Sequence, residues 1–588
     1  MLKPFQVVSD YVPAGLDATK WPQLEPLYRG LIERTLKCKN CLERLILDRS
    51  ELDAAASEAS SVLYINMTCH TEDEAVKKAY LDFVEEVEPN LKRLGFTIDQ
   101  KIVASPFVKD LDLQRYEVLL RDLRAAVEIF RPENVPIETE LTKLSQRYSE
   151  ISGAMMILFR GEERTLPQMA RFQEETVRAT REEAWRSVAK RRLADKDTIE
   201  DIFDQMLALR HQVAVNAGFS NYRDYAFKAK RRFDYTPEDC HSFARGCAEH
   251  IVPALRRLNE QRRTGLDLLT LRPWDLAVDA KSRGPLRPFE NAQDMVEKTA
   301  RVFNRMDPAS NGNGVPSLSQ MFAVLQGQGA APGQPPVNCL DLDSRKGKAP
   351  GGYQASRDRM RMPFIFMNAA GVQRDVETMV HEAGHAFHSM LSRQDPILAY
   401  RSEIPLEFAE VASMSMELTT HPYMEEFYGS KENADRARRV HLEQLATMLP
   451  WIATIDQFQH WLYTNVGHTR AQRRELWVVL MQRFGSSVEW TGLEEELACI
   501  WHRQLHLFGA PFYYIEYGIA QLGALQLYNN FRRAPARAIA DYKKSLSLGG
   551  SRPLKELFTE AGLDFDFSPE RIRKTWVEVE SVLASLPA

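Results

Sequence analysis

Two histidines four residues apart, His381 and His385, enclose Glu382 within Val376-Glu-Thr-Met-Val-His-Glu-Ala-Gly-His-Ala-Phe-His-Ser-Met-Leu391. On a helix, positions four apart stack on one face, so both imidazoles can reach a single metal ion. Glu382 is turned about 100° from His381. Its carboxylate can therefore meet a water in the open metal position without taking a ligand place. Nitrogen ligands, one further protein ligand, a water and a general base are what a zinc hydrolase requires.

A third ligand has to come from elsewhere. Glu403, Glu407, Glu410 and Glu417 lie downstream at spacings that put them on one helical face. An exposed acidic stripe would look the same. However, Phe408, Ala409, Val411, Ala412, Met414 and Met416 leave little room for an exposed helix, and buried carboxylates need a partner such as a cation. Spacing alone does not choose among the four. Glu377, one turn before His381, can accept a hydrogen bond from a ligand imidazole. His388 reads as a neutral buried histidine rather than a fourth ligand, because a catalytic site keeps one position open. Much later, His506, Tyr513, Tyr514 and Tyr517 offer hydrogen-bond donors for an oxyanion. Tyrosines at helical spacing are equally typical of a core, and for Tyr513 the two readings balance.

The elements that carry these residues follow from periodicity. Val376, Val380, Ala383, Phe387 and Met390 form an apolar stripe behind Asp375 as N-cap. Gly384 costs about 1 kcal/mol against alanine in mid-helix, which implies a close approach to the backbone there. Strand signal is confined to the stretch before the motif, at 338–343, 346–353 and 363–368. It predicts a small sheet beside the zinc helix, suited to binding a peptide as an added strand. The loop Lys346–Gly352 lacks the phosphate-loop pattern. The rest reads as helices, including Leu24–Leu47, Glu72–Leu94, Tyr148–Glu163 and Leu166–Arg192. Residues 307–336 read as loops flanking a short helix, and Thr236 as a helix cap. The expected division is an N-terminal helical region (1–110), a helical lobe (111–192) and a catalytic region (193–588).

With 588 residues, a net charge of −5, 44% hydrophobic and 27% charged residues, the composition is that of an ordinary globular protein, with no nucleic-acid signature. No run is long enough to span a membrane, and the N-terminus lacks a signal-peptide core. Seven scattered cysteines suit a reducing compartment, so a cytoplasmic location is expected. Cys38-x-x-Cys41 falls in a helix-like run with no second pair and reads as helix packing.

Four segments together resemble the thimet oligopeptidase and oligoendopeptidase F family of zinc metallopeptidases, most closely its bacterial oligoendopeptidase F branch. They are Asp375 through His388, Phe408-Ala-Glu-Val-Ala-Ser, Arg345-Lys-Gly-Lys-Ala-Pro-Gly-Gly-Tyr, and His506 through Tyr517. The resemblance implies a mainly α, two-lobed fold around a deep channel. It also implies one zinc ion held by His381, His385 and Glu410, with Glu382 as base. Glu410 is singled out by its Phe-x-Glu context. His506, Tyr514 and Tyr517 are expected to bind the substrate carbonyl and oxyanion, although the spacing after His506 is one residue longer than in the thimet branch. The implied activity is endopeptidase cleavage of oligopeptides. The rivals are a zinc carboxypeptidase of a related helical fold and a non-catalytic peptide-binding protein. Cobalt or manganese would also suit such ligands.

Overall fold

Helical periodicity dominates the chain, and in the computed structural model it resolves into helices packed layer on layer, with two small sheets. The structure describes residues 5–281, 283–308, 315–328, 338–349 and 351–587. No helix among them is long and apolar enough to cross a membrane.

Two apolar cores organise the fold. The larger gathers buried side chains from Leu144 to Leu586 and includes the motif helix, Gln373–Ser392. The second is built by the N-terminal helices, from Ala18 to Leu120, and closes over Ile397 and Tyr400. Both of these residues lie just beyond the motif helix. The expected helix Leu24–Leu47 is two helices, Trp21–Glu33 and Lys39–Cys69. The break falls where Cys38 becomes an N-cap, its sulfur accepting from the Cys41 N–H at 3.3 Å. All seven cysteines are free, and Cys38-x-x-Cys41 marks a helix start with Cys38 exposed and Cys41 half-buried, neither a redox pair nor a packed core position.

Tyr148–Glu163 is not one helix. A helix ends at Gly153, and a hairpin follows, β1 (Met156–Phe159) paired antiparallel with β2 (Glu162–Thr165). Met156 and Leu158 face out while Ile157 and Phe159 face in, a period of two that an apolar count over the whole run conceals. Arg160 and Gly161 both take positive φ, 53° and 83°, as a two-residue hairpin turn demands. Thr236 stands at the N-cap of Pro237–Gly246 as expected, but it is Asp239 that does the capping, accepting from the Thr236 backbone N–H at 2.7 Å and its hydroxyl at 2.8 Å. A short helix, Leu318–Leu325, lies within 307–336 as expected. Residues 309–314 and 329–336, read as its flanking loops, lie outside the described residues.

The expected sheet is present beside the motif helix. β3 (Leu340–Asp343) runs parallel to β5 (Met362–Ala369), and β4 (Tyr353–Arg357) pairs antiparallel with β5 on its other edge. Lys348, in the glycine loop, is buried. Its ammonium donates to Asp341 at 2.8 Å and lies 4.4 Å from the Phe366 ring centre. That lysine anchors the loop to the sheet, its ammonium taken up by Asp341 and the Asp343 carbonyl.

Candidate metal centre

The motif helix starts at Gln373, with Val372 rather than Asp375 at the N-cap. Asp375 still caps it from inside the first turn, accepting from the Ala370 and Val372 N–H groups at 2.8 and 3.0 Å. A second helix, Leu406–Thr419, crosses it at Gly384. A Cβ placed on Gly384 would lie 2.6 Å from both the Ala412 carbonyl oxygen and Ser413 Cα. Mid-helix glycine therefore answers a close contact between backbones, as its cost had implied.

That contact brings the acidic helix onto the histidines. Glu410 Oε2 lies 3.4 Å from His381 Nε2 and 3.7 Å from His385 Nε2. Bonds of 2.0–2.3 Å to a tetrahedral ion place its donors about 3.3–3.8 Å apart, so the three residues present fit a divalent metal. Glu410 is buried, and its carboxylate also accepts from the Ser413 hydroxyl at 2.9 Å. The four acidic residues of the stripe separate by partner. Glu403 pairs with Arg231, and Glu407 accepts from the Tyr235 hydroxyl at 2.7 Å.

Glu417 takes the part that the sequence offered to Glu377. His381 Nδ1 lies 2.6 Å from Glu417 Oε1, and His441 Nε2 lies 3.1 Å from Glu417 Oε2. His421 Nε2 in turn meets His441 Nδ1 at 2.9 Å. Burial alone would raise the Glu417 carboxyl, but the hydrogen bonds from the two imidazoles hold it far below the usual range. Glu377 instead accepts from Gln373 at 2.9 Å and pairs with Arg374 at 3.3 Å. One turn back on the same helix, it has no path to the ring, whereas an acid on the facing helix does. His388 is buried against Phe408, and burial brings its imidazole down to about 3, which keeps it neutral as expected.

Glu382 is buried and lines a cavity of about 380 Å³ together with His381, Gly352 and Thr378. Burial pushes its carboxyl up to about 7; His381 opposes the shift, and Glu410 adds to it. The backbone N–H of Gln354, on the edge strand β4, also bears on this carboxylate.

The late motif forms an aromatic cluster. Phe512 has a φ of 62°, a left-handed conformation that a bulky residue adopts only when held. Gln459 holds it, accepting from the Phe512 N–H at 2.6 Å, and Arg232 donates to its carbonyl. The helix Tyr514–Arg533 starts directly after this turn. The His506 ring lies 5.5, 4.9 and 6.0 Å from the rings of Tyr513, Tyr514 and Tyr517. Burial and nearby Lys230 lower the imidazole, so His506 stays neutral. Its Nδ1 lies 2.8 Å from Gln504 Nε2. Burial raises Tyr517 to about 12 and Tyr513 further, and the Glu410 charge contributes to both. Tyr514 is raised by burial, and its hydrogen-bond partners are Gln504 and Trp451. Tyr513 and Tyr517 are thus the tyrosines within electrostatic reach of the candidate metal ligands. The family resemblance had pointed to Tyr514 and Tyr517, whereas spacing alone does not rank the three, because the turn that precedes them depends on Phe512.

Comparison with known proteins identifies the family to which this fold belongs. Among curated proteins, an oligoendopeptidase F homolog of Borreliella burgdorferi is 27% identical over 231 residues, covering 37% of this chain and 37% of that protein. Oligopeptidase PepF of Bacillus subtilis is 23% identical over 329 residues, 55% of this chain and 45% of its own length. The chain thus aligns with less than half the length of each. Among solved structures, PZ peptidase A with an inhibitor superposes with a TM-score of 0.85 at 28% identity, covering 98% of this chain and 99% of that one. Oligoendopeptidase-F from Enterococcus faecium, at 16% identity and a TM-score of 0.62 over 96% of both chains, shares the fold. The model of the peptidase M3 N-terminal domain matches residues 16–130, and that of peptidase family M3 matches residues 171–575, spanning the histidines, Glu410 and the tyrosine cluster. With more than two thirds of its length matched by that second model, the chain belongs to peptidase family M3.

Proposed function

We propose that this chain is a zinc-dependent endopeptidase that hydrolyses peptide bonds in short oligopeptides. In this reading His381, His385 and Glu410 hold the metal and Glu382 is the general base. The observation that carries the proposal is the convergence of two Nε2 atoms on one buried Glu410 oxygen, with a fourth group, Glu382, beside them and facing a cavity. Zinc, when bound, supplies Lewis acidity to the scissile carbonyl and to water. Glu382 accepts the proton of the attacking water and delivers it to the leaving amine. Its low-dielectric setting suits a base that must bind and release a proton near neutrality. Neutral His506, with Tyr517 and either Tyr513 or Tyr514, donates to the oxygen on which negative charge develops. An extended substrate aligns along the edge of β4, where Gln354 already meets Glu382.

The test is a set of internally quenched peptides with free or blocked C-termini, incubated with zinc-loaded protein. Internal cleavage of blocked peptides is expected. Cleavage only of free C-termini would make the protein a carboxypeptidase, and binding without turnover would make it a peptide-binding protein.

Two variants probe the support of the site. Glu417→Ala removes the acceptor that orients His381 and is expected to weaken zinc binding roughly 10- to 100-fold, measured by competition with a chelator. Unchanged affinity would remove Glu417 from the site. Tyr517→Phe is expected to lower kcat by about 10- to 100-fold while KM moves little, as for a donor that acts only in the transition state. Steady-state kinetics showing a rise in KM alone would instead make Tyr517 a ground-state binding group.

A further inference from the structure

A second set of metal-binding residues lies away from the histidine motif. The helix Pro237–Gly246 carries Cys240, and the long helix Lys431–Thr464 carries Asp456 and His460, four residues apart on one face. All three are buried, at 1%, 0% and 3% exposure, and one ligand atom from each falls within a 4.8 Å cluster. We propose that Cys240, Asp456 and His460 form a structural site for a soft-to-borderline divalent cation of the zinc class, which ties these two helices together.

Three observations support the site. His460 Nε2 and Asp456 Oδ2 are 3.3 Å apart, the separation of two donors on a tetrahedral ion, about 3.3 Å for bonds near 2.0 Å. Asp456 Oδ1 and both ring nitrogens of His460 have no hydrogen-bond partner among the described residues, although all are sealed from solvent. A buried polar atom left unmet destabilises the fold unless a ligand satisfies it. The charges also balance, because a thiolate and a carboxylate neutralise a doubly charged ion in a dry pocket. The nearby cation, Arg232, is already paired with Glu516 at 2.8 Å.

A cysteine, histidine and aspartate together can also serve a thiol nucleophile, but Cys240 is closed off from any substrate. The His460 ring sits among Phe227, Phe512 and His241, with centroids 6.0, 5.4 and 4.7 Å away. His241 Nδ1 faces Gln457 at 2.8 Å and stands outside the set. Burial raises the Cys240 thiol well above its ordinary value, so without metal it keeps its proton. Binding forms the metal–sulfur bond and releases that proton to solvent.

No cysteine belongs to the histidine-motif site, so the thiolate distinguishes the two. Cobalt-loaded full-length protein is expected to hold about two ions per chain and to show a thiolate-to-cobalt charge-transfer band in the near ultraviolet. Cys240→Ser should lose the band and one ion, and His460→Gln should weaken it. His385→Ala should lose one ion and keep the band, so a failure of the peptidase reading is told apart from a failure of this one. Wild-type protein without the band, or a band at full strength in folded Cys240→Ser, overturns the proposal. If Cys240→Ser does not fold, the wild-type spectrum and the His460→Gln variant decide it.

Discussion

Glu382→Gln is expected to bind zinc as tightly as the wild type while losing about two to four decades of kcat. The substitution is nearly isosteric and leaves His381, His385 and Glu410 in place, so the candidate metal donors and the cavity keep their shape. It removes the buried carboxylate that stands beside the candidate ligands and lines the cavity. An amide can neither accept the water's proton nor return one to the amine. Metal content by mass spectrometry and turnover of a quenched peptide together read the outcome. Near-wild-type turnover in the metal-loaded variant would end the role given to Glu382.

Gly384→Ala is expected to do damage of a different kind, lowering both stability and metal affinity. The new methyl would stand 2.6 Å from two backbone atoms, Ala412 O and Ser413 Cα, and neither belongs to a side chain that can rotate away. Overpacking typically costs about 1–3 kcal/mol, and a backbone obstacle puts this site at or beyond the upper end. The helices must part, and Glu410 is carried on the one that moves. A displacement of about 1 Å in a preorganised site can cost about 100-fold in function. Thermal melting of metal-free protein and zinc competition measure the two effects. Wild-type values in both would mean that the helices do not cross at Gly384.

The site was legible in the sequence to the extent that its geometry is local. His381, Glu382 and His385 occupy one helix, and their spacing alone implied their chemistry. Glycine at 384 announced a neighbour but not which one. Choosing Glu410 over Glu403, Glu407 or Glu417 required the crossing point of two helices, which no periodicity contains, and only the family resemblance pointed to it. Glu417 was missed as the partner of His381 for the same reason, since Glu377 lay closer in sequence and on the same helix. In the fold, apolar spacing identified most of the helices and the sheet before the motif, although the expected helix Leu166–Arg192 is a short one, Leu166–Ala170, and a separate one, Arg178–Ala194. It failed at Met156–Thr165, where a two-residue turn with positive φ reverses the chain inside a run whose composition also suits a helix. Phe512 is the same case in miniature: its strained backbone, fixed by Gln459 and Arg232, aims the tyrosines from a long way off in sequence.

Ile397 and Tyr400 give the N-terminal helices a mechanical part in the chemistry. These two side chains sit between the histidine helix and the Glu410 helix in the chain, yet they are embedded in the other core. The segment joining the two halves of the candidate metal site is thus clamped at its midpoint by residues from the first fifth of the sequence. Loosening that clamp would lengthen the leash between the donors without altering a single one of them. A fragment holding every ligand but lacking those helices would be left with the right parts and too much slack.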